Sequence, residues 1–211
     1  GFLVASLVVL FFSFSRSAWL GVVISIAVVA CQGLQTTRAK QLSAIIAACL
    51  VLFSAGLVVG LRHNTHFENF VFHTQTKSAV PVSSNQGHVT ALKQGLIDLR
   101  HDPLGSGPGT AGPASVYSNH SPRIAENYFI QIGQETGWLG LGMFVLINVG
   151  VGYLLWSRRA DPLALGLFAS LIGLTLINLL SHAWTDDTLA YVWWGLAGIA
   201  MAPLSLRDNG Q

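Results

Sequence analysis

The sequence predicts an all-α fold: a polytopic membrane helix bundle with a long extracytoplasmic loop that contains short amphipathic helices. Three observations support this prediction. Hydrophobic residues make up 52% of the 211 residues, charged residues only 9%, and the mean hydropathy is +0.55. A soluble domain carries roughly 25% charged residues, so this chain lacks the polar surface that such a domain needs. The composition also excludes a disordered chain, a nucleic-acid binder and a disulfide-stapled secreted scaffold.

Apolar stretches of spanning length are the first elements to place. Each is close to the ~20 residues that a membrane helix needs, and helices are expected because lipid cannot satisfy open strand edges. The first apolar run, 1–14, is shorter, and we interpret it as the tail of a spanning helix within the C-terminal part of a larger protein. The predicted spans are residues 18–34, 42–61, 138–156, 163–180 and 189–206.

The spans divide the chain into three predicted regions. Residues 1–61 hold three transmembrane helices, the first of them truncated at its start, and residues 62–123 form the outer loop. Residues 124–211 hold an interfacial helix and three further transmembrane helices.

Lysine and arginine residues in the short connectors predict the orientation. The short turns on one side contain only Arg16, so the opposite, more basic side is predicted to be cytoplasmic. The loop 62–123 and all seven histidines then lie on the outer side. The cations on the predicted cytoplasmic side are Arg38, Lys40, Arg158, Arg159 and Arg207.

The outer loop contains one amphipathic helix and one glycine-rich stretch. Residues 87–99 place apolar side chains at near-helical spacing, which predicts a short helix on the membrane or against the bundle. Residues 102–112, which include Gly107 and Gly109, form either a tight connector or a nest of N–H groups that binds an anion.

A second amphipathic helix is predicted over 123–135, directly before the span that starts at residue 138. Pro122 suits a helix start, and Glu126 would lie in the first turn, where a negative charge is favourable. Four polar side chains would share one face of this helix: Arg123, Asn127, Gln131 and Gln134.

Arg16 and His182 are the candidate functional residues of the short outer turns. An arginine at a membrane boundary either snorkels to the headgroups or serves a function, and its planar fork suits a diphosphate. His182 precedes two carboxylates in the turn 181–187. No metal or other cofactor is predicted, because no CxxC or HExxH pattern occurs and the other outer histidines are typical of a solvated loop.

Three short elements occur in a characteristic order. Residues 15–20 (SRSAWL) are followed by 102–110 (DPLGSGPGT) and then by Glu126-Asn127-Tyr128 with 135–140 (ETGWLG). These elements resemble, in turn, the SRG, PLGxGxGt and ENxyL elements of the O-antigen ligase and O-antigen polymerase family. The resemblance covers essentially the whole chain, as the C-terminal half of that family.

The resemblance implies a metal-independent inverting glycosyltransferase of surface polysaccharide assembly. Such proteins sit in the bacterial cytoplasmic (inner) membrane and transfer a glycan from an undecaprenyl-diphosphate-linked donor to a glycan or lipid-glycan acceptor on the outer face. Arg16 matches an arginine that holds the diphosphate, whereas Glu126 stands where ligases place an activating histidine. His88 takes the place of a loop arginine. These departures leave open a polymerase or a ligase that acts on another surface acceptor.

We therefore expect Glu126 to act as the base and Arg16 as the catalytic cation. The alternative is a membrane transporter or flippase component for a lipid-linked or anionic substrate. It would favour ionisable groups near mid-span, whereas nearly all of them here lie in loops or at the outer boundary. The predicted substrate-binding residues are Arg62, His88, Arg100, Arg123, Asn127, Gly107, Gly109 and His182.

Overall fold

The computed structural model describes residues 2–13, 15–33, 38, 41, 84–117 and 121–202, and these residues contain no β-strand. The predicted all-α fold is therefore confirmed for the part of the chain that is described. Short 3-10 helices occur at Pro113–Tyr117 and Ala183–Thr185. The α-helices are α1 (Phe2–Phe12), α2 (Arg16–Gly33), α3 (Ser84–His101), α4 (Tyr128–Ser157), α5 (Pro162–Leu180) and α6 (Asp187–Met201).

The predicted spans that fall on described residues coincide with helices. The spans 138–156 and 163–180 lie on α4 and α5, and the described parts of 18–34 and 189–206 lie on α2 and α6. The span 42–61 lies outside the described residues. Within the described residues, α4 and α5 are long and apolar enough to cross a membrane, whereas the apolar part of α2 is shorter.

Four helices begin at side-chain caps that the sequence provides. Ser15, Asn127, Asp161 and Asp186 each accept a hydrogen bond from a backbone N–H two or three residues further along, at 2.8 to 3.3 Å. These caps satisfy N–H groups that have no partner within the helix. Pro162 follows one of the caps, at a position where its missing N–H costs nothing.

Helices α2 and α5 pack closely through small residues. A Cβ atom on Gly173 would lie 2.3 Å from Ser25 Oγ and 2.5 Å from Gly21 O, so only glycine fits there. The Ser25 hydroxyl lies 2.8 Å from Gly21 O and 3.0 Å from Ala169 O, which links the two helices. Small residues permit this close approach of helices in membranes. The pairing of 21 with 173 and of 25 with 169 makes the two helices antiparallel.

Arg158 and Arg159 lie at the opposite end of the bundle from the start of α2. The Arg158 guanidinium donates to Ala200 O at 3.0 Å and to Ala202 O at 2.6 Å, which closes the C-terminus of α6. The Arg159 guanidinium lies 4.7 Å from the centre of the Trp156 ring. Between the two ends, a buried core joins α4, α5 and α6 through Leu155, Ala164, Leu167, Leu171, Trp184, Trp193, Ala197 and Ala200.

The predicted helix over 123–135 is wrong at its start and at its junction with the next span. The helix begins at Tyr128, so Arg123 and Glu126 lie before it and not on its first turns. The reason is local: Asn127 caps the helix, and Glu126 has a φ of 52°, which an α-helix cannot accommodate. Gly137 then interrupts α4 with a φ of 73° and a ψ of −174°.

Candidate functional site

The starts of α2, α4 and α6 and the end of α5 meet at one end of the bundle. Asn127 Nδ2 donates to Leu179 O at 3.0 Å, and the Tyr128 N–H donates to Ser181 O at 3.1 Å. These two bonds tie the start of α4 to the end of α5. Because α2 runs antiparallel to α5, its first residue, Arg16, lies at this same end. We call this end the site end.

Glu126 and His88 contact each other at the site end. The Glu126 carboxylate Oε2 meets the His88 imidazole Nδ1, and the two side chains are 39% and 44% exposed. Both side chains are therefore partly open to solvent, although Glu126 Oε2, the oxygen in the contact, is itself buried. The sequence predicted each residue as a site residue, but nothing in its local pattern predicted that the two side chains would pair.

The packing of α3 explains why His88 reaches Glu126. A Cβ atom on Gly95 would lie 2.7 Å from both Ala125 Cβ and Ile130 Cγ2, so α3 rests tightly on the segment that precedes α4. His88 lies two helical turns before Gly95 and therefore on the same face of α3. The buried face thus places His88 beside the residue that follows Ala125.

The predicted helix over 87–99 lies within α3, and most of its larger apolar side chains face outward. Of the apolar side chains at 87–99, only Leu99 is buried, whereas Val89, Leu92 and Leu96 remain exposed. The small residue at position 95 permits a closer approach to α4 than a leucine would. The helix therefore packs through its small-residue face and keeps an apolar face outward.

Arg123 braces the loop that connects α3 to α4. Its Nε and Nη2 atoms pair with Asp98 Oδ2 at 3.2 Å and Asp102 Oδ2 at 3.3 Å, and Nη1 donates to Ser106 Oγ at 2.8 Å. Gln134 Nε2 also donates to Asp98 Oδ2, at 2.9 Å. In this conformation the Arg123 guanidinium is therefore paired with two carboxylates of the protein itself.

Asp98 is the centre of this network, and it was not predicted as a site residue. Burial opposes its ionisation, but hydrogen bonds from Gln94 and Arg123 outweigh burial and hold the pKa of Asp98 below its usual value. A single carboxylate on an amphipathic helix is typical of a solvated face, so no sequence signal distinguished it.

The glycine-rich loop docks into the break of α4. The Trp138 N–H, which has lost its helical acceptor at the break, donates to Pro103 O at 3.0 Å. A Cβ atom on Gly105 would lie 2.5 Å from Glu135 O, and one on Gly137 would lie 2.4 Å from Pro103 O. Both positions therefore require glycine, and the loop and the break form one interlocked unit.

The N–H groups of Gly107 and Gly109 both have acceptors in this unit. Gly107 donates to Glu135 O at 2.9 Å and Gly109 to Glu135 Oε1 at 3.2 Å. Ser106 similarly donates to Gln134 O at 2.9 Å. This is the arrangement of a tight connector, and in this conformation the loop does not present these N–H groups to an anion.

His182 lies at the site end, immediately after Ser181. Its Nε2 atom is buried and has no hydrogen-bond partner among the described residues. Burial lowers the pKa of the His182 imidazole, so the ring is neutral at neutral pH. The site end therefore holds a neutral imidazole beside the junction of α4 and α5.

The sequence profile of the family described as O-antigen ligase matches residues 1–145. The chain belongs to the O-antigen ligase family. The resemblance seen in the three short elements is thereby confirmed, and membership indicates a role in surface polysaccharide assembly at a membrane. No curated protein and no solved structure matches the chain.

The region matched to O-antigen ligase contains most of the predicted site residues. It includes the start of α2, all of α3, the glycine-rich loop and the Glu126–His88 contact, and it ends within α4. Arg100 lies exposed in the last turn of α3. Arg62 lies outside the described residues. Among the residues that are described, no group of three His, Cys, Asp or Glu is placed to hold a metal ion.

Proposed function

We propose that this chain transfers a glycan from an undecaprenyl-diphosphate-linked donor to a hydroxyl of a glycan or lipid-glycan acceptor. The reaction is inverting, needs no metal or other cofactor, and takes place at the outer face of the bacterial cytoplasmic membrane. The observation that carries the proposal is the Glu126–His88 contact at the bundle end where α2 starts with Arg16. Membership of the O-antigen ligase family supports the same reaction class.

The reaction needs a base on one side and a cation on the other. The acceptor oxygen attacks the anomeric carbon, the bond from that carbon to the diphosphate oxygen breaks, and undecaprenyl diphosphate leaves. The Glu126–His88 pair takes the hydroxyl proton. Arg16 stabilises the charge that develops on the diphosphate, because its planar guanidinium matches phosphate oxygens. Exposed Arg100 is available as a second cation.

A polytopic arrangement with the site end outside is part of the proposal. The part of α4 after Gly137, residues 138–157, is about 30 Å long at 1.5 Å per residue, which matches the hydrocarbon core. Arg158 and Arg159 lie at its far end, as cytoplasmic cations do. The exposed apolar face of α3, formed by Val89, Leu92 and Leu96, then rests at the headgroup boundary.

The transporter or flippase alternative has no supporting observation in the described residues. Residues 138–157 and helix α5 contain no Asp, Glu, Lys, Arg or His, so neither offers an ionisable group at mid-span. A permeation path for an anionic substrate would need such groups. The charged residues nearest to these segments, Glu135, Arg158 and Asp161, lie beyond their ends.

Purified full-length protein in lipid vesicles, supplied with a lipid-linked glycan donor and an acceptor, tests the proposal. Glu126→Gln should lower the transfer rate by roughly 10²–10⁴, the contribution expected of a positioned base. Asp187→Asn is the matched control, because Asp187 is an exposed carboxylate at the same end of the bundle. Absence of transfer by the wild type would contradict the proposed function, and full activity in Glu126→Gln would contradict the part of Glu126 in it.

A further inference from the structure

Residue 126 is held firmly by its neighbours. Ala125 is 2% exposed and contacts α3 at Gly95, and Asn127 is 7% exposed and caps α4. Glu126, between them, has a φ of 52°, a conformation that a non-glycine residue keeps only when its surroundings impose it. The backbone thus directs this one carboxylate out of a buried segment and onto the His88 ring.

The contact is made through a particular ring nitrogen. The Glu126 carboxylate meets His88 Nδ1, so the Nδ1–H tautomer is favoured and Nε2 carries the lone pair. A carboxylate on the far nitrogen also holds the ring in one orientation and stabilises the imidazolium that forms when Nε2 accepts a proton. This is the arrangement of a histidine base with a carboxylate partner.

We infer that His88 Nε2 is the atom that takes the acceptor proton and that Glu126 is its positioning residue. The inference rests on the proposed glycan transfer and deepens it. The acceptor O–H bond breaks, its proton moves to Nε2, its oxygen forms the new bond to the anomeric carbon, and the electron pair of the broken bond leaves with the diphosphate. The Glu126 carboxylate stays ionised and compensates the positive charge of the His88 ring.

The first experiment reads the tautomer without any activity. Full-length protein with ¹⁵N-labelled histidine is reconstituted in bilayers, and the His88 signals are assigned by their loss in His88→Gln. We expect a protonated Nδ1 and an unprotonated Nε2 in the wild type, and the opposite tautomer in Glu126→Ala. An Nε2–H tautomer in the wild type, or the same tautomer in both proteins, would overturn the inference.

The second experiment is chemical rescue of glycan transfer. His88→Ala should lose roughly 10²–10⁴ of the rate, and added imidazole should restore at least tenfold, because the 44% exposed side chain leaves a reachable gap. Glu126→Ala should not respond to imidazole. Combining the two substitutions should cost no more than His88→Ala alone, since the pair acts as one unit. His101→Ala, an exposed histidine of the same helix, is the control.

The outcomes separate this inference from the proposed function. If the wild type transfers glycan and His88→Ala, with wild-type thermal stability, keeps full activity, the base assignment is wrong while the function stands. If His88→Ala is unstable, His88→Gln replaces it, and retained activity there has the same meaning. If the wild type transfers no glycan, the proposed function fails and the base assignment fails with it, although the tautomer still reports whether the contact exists.

Discussion

Replacing Gly137 by alanine tests whether the glycine-rich loop and the break of α4 stabilise each other. The φ of 73° and ψ of −174° belong to a region that only glycine adopts readily. An added Cβ would lie 2.4 Å from Pro103 O and 2.6 Å from the Leu104 carbonyl carbon, both of them backbone atoms that cannot rotate away. The Pro103 carbonyl must then move, and it loses the hydrogen bond from the Trp138 N–H.

The expected loss of stability is large for a single methyl group. Backbone strain of this kind costs of order 1–3 kcal/mol, and the lost hydrogen bond adds about 1 kcal/mol, so we expect about 3 kcal/mol in total. For a chain of this size that corresponds to a fall in Tm of roughly 6–12 °C. Thermal unfolding of the purified protein in detergent measures it, and hydrogen exchange of residues 102–112 should rise in the same variant.

Gly142→Ala provides the matched control. Gly142 lies in the same helix, has ordinary helical torsion angles, and its Cβ would meet no atom within 4 Å. Alanine is the better helix former by about 1 kcal/mol, so this variant should be as stable as the wild type or slightly more so. Equal Tm values for Gly137→Ala and Gly142→Ala would refute the interlock of loop and helix break.

Four further predictions concern packing, charge and chemistry. Gly173→Ala should destabilise the protein by about 2 kcal/mol, because its methyl group overlaps the backbone of α2. Gly166→Ala, with open space around its added methyl group, should not destabilise it. Unfolding in denaturant measures the free energy of unfolding of both variants. The lowered pKa of Asp98 means that its ionised carboxylate contributes to folding stability, by about 2 kcal/mol. This contribution is present above about pH 3.9 and is lost as the pH falls through the pKa of Asp98 in the folded protein. Asp98→Asn should remove that part of the Tm–pH curve. The lowered pKa of His182 means that stability falls as the pH drops from about 6.5 through its folded-state value, and His182→Gln should flatten the curve there. Arg16→Lys should slow transfer tenfold or more, about 1.4 kcal/mol in barrier height, in assays at matched protein concentration; an unchanged rate would make Arg16 a membrane anchor.

Much of the secondary structure was predictable from local sequence. The apolar stretches at 138–156 and 163–180 coincide with described helices because length and composition are enough to specify a helix that buries its own backbone groups. The amphipathic helix at 87–99 was likewise predicted from the spacing of apolar residues. Glu126 and His88 were both predicted as site residues from the family resemblance, at the places of a ligase histidine and of a loop arginine.

The helix over 123–135 shows where local patterns were insufficient. Its polar residues have helical spacing, yet the helix begins only at Tyr128, because Asn127 caps it and Glu126 has a positive φ. Arg123, which lies before the helix, pairs instead with Asp98 and Asp102 outside this segment. Helical spacing states which residues would share a face if a helix formed. It does not state whether a distant carboxylate competes for one of them.

The tertiary structure alone decided how the candidate residues are used. Periodicity assigns a residue to a face, but the partner of that face depends on which helices meet, and this in turn depends on where the closest backbone approach is possible. Here Gly95 sets that approach for α3, and it brings His88 onto Glu126 while leaving the larger apolar side chains of α3 exposed. The sequence by itself determined which helices form and which residues have side chains that can act as a base or bind a phosphate. The close packing of Gly95 against the segment before α4 determined which of those residues contact each other.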